Sequence, residues 1–213
     1  MVMEIVKPRE EFFEPDSRLH AFKVREVGTT QWRDASLDDH YGDLNGLVLN
    51  PGVPEEVVGY INVVKTLYLY GWLYYPFFAT CQCLSGMAVE MALRTRLPNP
   101  SGKRDGRTLR TLLRKAVDSG LLRDDGFPSL PGRAAKEKAE LDRLAVATAQ
   151  TVIGPTEPYV EILVKALPEM RNIFAHPKAN WIVLPGAAQQ SILVALEIIN
   201  QLWSLPAHRL ADS

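Results

Sequence analysis

The chain has 213 residues, of which 46% are hydrophobic and 23% charged. That supplies one sizeable core with an extra segment, and it excludes a chain disordered along most of its length. A formal net charge of -1 excludes a basic field over the whole surface, so any contact with nucleic acid has to be local.

Residues 1–13 mix Glu4, Lys7, Arg9, Glu10 and Glu11 and hold no apolar run of signal-peptide type, so a cytoplasmic location is expected. Residues 1–53 are rich in Pro and Gly and carry ten acidic against six basic side chains, with short apolar runs at 21–27 and 44–49. The pattern reads as an irregular acidic segment with room for a short hairpin, packed on a helical body. His20, His40 and His208 stand at no metal-ligand spacing.

The body, residues 54–213, opens with Pro54-Glu55-Glu56, which suits a first helical turn. Val57, Ile61, Val64 and Leu67 follow at helical spacing. From 66 to 89 no side chain is charged, but Gly71, Pro76 and several tyrosines interrupt the stretch. Two buried helices joined at Tyr75-Pro76 explain it better than a membrane span. Within the second, Cys81 and Cys83 are too close for a zinc site or a disulfide framework and read as reduced thiols.

That second helix is expected over 76–97, stopped by Pro98-Asn99-Pro100, and a third over 107–119, closed by Gly120. Residues 123–133 read as a loop and 134–152 as a helix with Leu141, Leu144 and Ala145 on one face. A further helix is expected over 158–175, kinked or restarted at Pro168, and a last one over 186–203. The whole predicts a mainly α protein, an antiparallel bundle of about five helices.

The segment with chemical content is Met170-Arg171-Asn172-Ile173-Phe174-Ala175-His176-Pro177. Pro177 disfavours helical geometry at His176, so the helix should end there, where the dipole favours an imidazolium. Arg171 lies five residues earlier, about 140° round the axis, so the two side chains are near one another without stacking on one face.

An arginine, a polar residue, three more residues and a histidine at the end of a bundle helix resemble the signature motif of the HEPN superfamily. Residues 87–94 resemble the long second helix of such domains and 109–122 the shorter helix after it, so the resemblance covers roughly 54–203. It implies a homodimer that cleaves RNA without metal or cofactor, two motifs facing each other across the interface. Carried over, His176 would act on the ribose 2′-hydroxyl as base or on the leaving group as acid. Arg171 would stabilise charge on the scissile phosphate, and Asn172 would orient His176 or a phosphate oxygen. A toxin or phage-defence setting, with an antitoxin or other protein partner, goes with this reading.

A second feature is local charge. Between Arg94 and Lys115 there are eight basic residues and one acid, Asp105, and Arg107, Arg110 and Arg114 fall on one helix face. They form either an RNA-binding stripe or an ordinary solvated face. The motif likewise has other readings. Members of the superfamily also serve as non-catalytic modules binding RNA, nucleotide or protein. Arg171 can pair with Glu169 or Glu90, His176 can cap helix carbonyls, and the match can be accidental in a structural protein. No phosphate-binding glycine loop or nucleophile elbow is present.

Overall fold

The computed structural model describes residues 7–26, 28–99, 106–132, 157–175 and 183–204. It is mainly α-helical, with a short hairpin in the N-terminal segment. In the hairpin, β1 (Lys23–Arg25) pairs antiparallel with β2 (Trp32–Asp34), Lys23 opposite Asp34 and Arg25 opposite Trp32. The apolar run at 21–27 supplies β1, whereas the run at 44–49 forms no strand.

Composition gives no hint of α1 (Leu37–Leu44) within this segment, because most of its residues are polar. Its signal is local. The Ser36 hydroxyl accepts from the Asp39 backbone, and the Asp39 carboxylate accepts from the Ser36 backbone at 2.8 Å, a reciprocal capping box. Arg33 closes on the same carboxylate with two hydrogen bonds of 2.6 and 2.7 Å, tying β2 to the start of α1.

Among the described residues five longer helices lie in the body: α2 (Glu55–Tyr70), α3 (Phe77–Arg96), α4 (Leu109–Asp118), α5 (Tyr159–Ala175) and α6 (Pro185–Leu202). The tight turn between α2 and α3 depends on Gly71, since a Cβ there would stand 2.5 Å from the Phe78 ring. Helix α3 lies at the centre, packed against α2, α4, α5 and α6. It buries Phe78, Cys81, Ser85, Ala88, Val89, Ala92 and Leu93. Arg96 donates to the Leu202 carbonyl at 2.7 Å, so the C-terminal ends of α3 and α6 meet. Because α6 instead runs antiparallel to α2, with Asn50 just before α2 bonded to Asn200, α3 and α6 are parallel neighbours within the bundle. Helix α5 runs unbroken across Pro168, which costs it one internal hydrogen bond. The helix expected at 134–152 lies outside the described residues, and no described helix is long and apolar enough to cross a membrane.

The N-terminal segment shares the core through two polar anchors. Asp16, nearly buried, accepts from the Tyr75 backbone at 2.8 Å and from the Arg18 guanidinium at 2.7 and 2.8 Å. Burial works to raise its pKa, but the Arg18 side chain and the Tyr75 and Arg18 backbone donors outweigh it and hold the carboxyl at about 2. Helix α1 in turn buries His40, 3% exposed, among the rings of Tyr68, Trp72 and Phe78. Neither ring nitrogen has a hydrogen-bond partner. Burial pushes its pKa down, against the opposing pull of Asp43 and Asp39.

Both groups give the fold acid sensitivity. His40 stays neutral when folded while the unfolded chain takes up a proton, so stability falls as pH drops below the ordinary histidine value of 6.5. Asp16 adds a second loss between 3.8 and about 2, where its folded carboxylate must at last be protonated. Urea unfolding of His40→Phe at a series of pH values should show a flatter loss of stability just below pH 6.5 than the wild type. Equal slopes would remove His40 from this account.

Candidate functional site

The end of α5 is built on α3. The first turn of α5 is capped from a distance, the Asp124 carboxylate accepting from the Tyr159 and Val160 backbone at 3.0 and 2.9 Å. Three turns later α5 packs on α3 beside Gly86, where a Cβ built on the glycine would make an ordinary contact of 3.8 Å with the Cβ of Arg171.

Arg171 therefore lies over one face of α3. Its guanidinium comes 3.7 Å from the Glu90 carboxylate, while its side chain stays 40% exposed. Arg94 claims the same carboxylate more tightly, at 2.7 Å, and also donates to the Arg107 carbonyl. Glu90 is thus shared by two arginines, one locked into the fold and one loosely held. The half-buried Cys83 thiol completes the surroundings. Burial raises its pKa, and the nearby Arg171 charge pulls the other way. Asn172 is exposed on the next position of the helix, and His176 lies outside the described residues.

The arginines of the basic face are engaged by the protein itself. Arg114 makes a two-pronged pair with Glu161 at 2.6 and 2.7 Å, and Arg110 reaches Glu169 at 2.7 Å. These contacts bridge α4 to α5. Arg107 donates to the carbonyls of Pro98 and Leu97, closing the α3 end onto the start of α4. Glu169, one of the partners open to Arg171 from sequence, is thereby committed to Arg110. Arg110 and Arg114 keep side-chain exposures of 50% and 42%, so the face is paired without being buried.

Beside Arg171, between α5 and α6 and floored by α3, is a cavity of about 340 Å³. Sequence reasoning gives no sign of it, because it arises where α5 and α6 both pack on α3 without closing on each other. Among the described residues no group of three or more His, Cys, Asp or Glu side chains is placed to hold a metal ion.

The geometry separates structural from exposed members of the motif. Glu90→Ala should lower the unfolding free energy by about 1–2 kcal/mol, because it leaves the half-buried Arg94 without its carboxylate. Asn172→Ala should stay within about 0.5 kcal/mol of wild type. Urea titration of both variants checks this, and equal effects would contradict the assignment. No protein-family model matches the chain, nor does any curated protein or solved structure.

Proposed function

We propose that the chain is a metal-independent endoribonuclease working as a homodimer in a toxin or phage-defence setting, with Arg171, Asn172 and His176 as its catalytic residues. The motif resembles that of the HEPN superfamily, and the observation that carries the reading is the state of Arg171. Its guanidinium stands near a helix end, 40% exposed and 3.7 Å from Glu90, its one carboxylate partner among the described residues, so a phosphate can compete for it.

The chemistry asked of these groups is transesterification. A base takes the ribose 2′-hydroxyl proton, the 2′-oxygen bonds to phosphorus, and the 5′-oxygen leaves with a proton from an acid. The products carry a 2′,3′-cyclic phosphate and a 5′-hydroxyl. The ordinary pKa of a histidine side chain suits either task, and two chains would supply one histidine for each. Arg171 would bear the charge gathering on the non-bridging oxygens, and Asn172 would orient His176 or one of those oxygens.

A second reading is a non-catalytic module of the same type that binds RNA, nucleotide or a protein partner. The pairing of Arg110 with Glu169 and of Arg114 with Glu161 favours its nucleotide- or protein-binding form, because RNA contact by Arg110 and Arg114 would have to compete with those carboxylates, and by Arg107 with the Pro98 and Leu97 carbonyls.

Incubating a mixed single-stranded RNA pool with the chain in a metal chelator discriminates the two. Wild type should yield cyclic-phosphate ends, while His176→Ala and Arg171→Ala, checked to be folded, should each lose about 100-fold or more in rate. An intact pool with wild type would leave the binding module as the better account, and full activity in His176→Ala would remove His176 from the catalytic residues.

A further inference from the structure

The cavity beside Arg171 has a polar end and an apolar end. From the contact of Arg96 with Leu202, α3 and α6 run back side by side at the same rise per residue, which brings Gln82 level with the first turns of α6. Gln82, Gln190, Ser191 and Arg171 thus gather at one end of the cavity, while Leu167 and Val194 help line the rest. The Gln190 amide nitrogen is buried and has no acceptor among the described residues. An amide donor left in that state is unfavourable, and an arriving acceptor would relieve it.

We propose that this cavity seats one nucleobase of the RNA, next to the phosphate that Arg171 holds; the inference rests on the ribonuclease reading of Arg171. A nucleobase matches the walls on three counts. Its flat faces are apolar enough for the Leu167 and Val194 side. Its edge carries the acceptors that the Gln190 amide lacks, and an amide can pair with that edge specifically. Its phosphate lies one sugar away, as Arg171 lies at the cavity mouth. At about 340 Å³ the space is near the lower end of small-molecule sites, right for one ring system and too small for a folded loop. A water molecule would satisfy Gln190 alone and leave the apolar walls unfilled.

The consequence is base preference next to the cleaved bond, set by Gln190 and separate from the rate set by Arg171. The test titrates the full chain, without metal, with the four nucleoside 3′-monophosphates and with inorganic phosphate. At least one nucleotide should bind about tenfold or more tightly than phosphate, and the four should differ. Gln190→Leu should erase the differences among bases, and Arg171→Ala should weaken all four by a similar factor. Ala187→Trp, at an exposed position on the rim, blocks the cavity without touching the core and should act like Gln190→Leu. Nucleotides bound no better than phosphate, or base differences that survive both cavity variants, would overturn the inference. The two readings fail separately. Base-dependent binding without RNA cleavage keeps the cavity and removes the nuclease, whereas cleavage without base preference does the reverse.

Discussion

The molecule depends on one constraint, that α3 must be buried on nearly every side. Phe78, Cys81, Ala88, Ala92 and Leu93 are fully shielded, and no single neighbour can cover them all. Each fully buried large apolar side chain contributes about 1.5–3 kcal/mol, so the helices gathering round α3 are held mainly by this one element. Its small residues decide how close they come. Ala88 and Ala92 admit close neighbours. Because α5 packs on α3 beside Gly86, Arg171 is carried to the charged stretch of α3, near Glu90 and Arg94.

Around that apolar centre, buried carboxylates join elements far apart in sequence by accepting from backbone N–H groups. Asp16 does this for the turn before α3, Asp124 for the start of α5, and Glu197 for Ser129, whose backbone and hydroxyl it accepts at 2.8 and 2.9 Å. Gln201 adds a neutral version with the Arg123 backbone, so close that a Cβ on Gly126 would fall 2.2 Å from its oxygen. Such groups satisfy donors that burial would otherwise strand. They also explain how the irregular N-terminal segment can share a core with helices it does not resemble. Glu90 is a carboxylate of another kind, paired with guanidiniums: Arg94 fixes it, and Arg171 is held more loosely.

Much of this was legible in the sequence where short-range chemistry decides. The limits of α3 follow from Pro76 and Pro98, those of α4 from Thr108 and Gly120, and the core faces of α2 and α4 from apolar spacing. Helix α1 was not legible from hydrophobic pattern, because it is carried by a Ser36–Asp39 cap and buries a histidine rather than an aliphatic residue. Pro168 signals a kink or a restart, and the helix continues on both sides of it, because tertiary packing of α5 on α3 and α4 outweighs one lost hydrogen bond. At the site, the spacing of Arg171 and Asn172 was readable, and Glu90 stood among the partners open to Arg171. Which carboxylate each arginine takes was not readable, since Arg110–Glu169 and Arg114–Glu161 join positions distant along the chain. The cavity with Gln190 belongs wholly to the third dimension.

The central claim is that Arg171 and its motif act on a ribose 2′-hydroxyl beside a phosphate. The most direct measurement compares two strands of one sequence that the chain cleaves, one all-ribose and one with a single 2′-deoxyribose at the cleavage position, in a metal chelator. The account predicts similar binding of both strands, cleavage of the first to a 2′,3′-cyclic phosphate, and an intact bond at the deoxy position in the second. Cleavage of both strands at that bond would contradict it, because a reaction indifferent to the 2′-hydroxyl needs a different nucleophile and a different site.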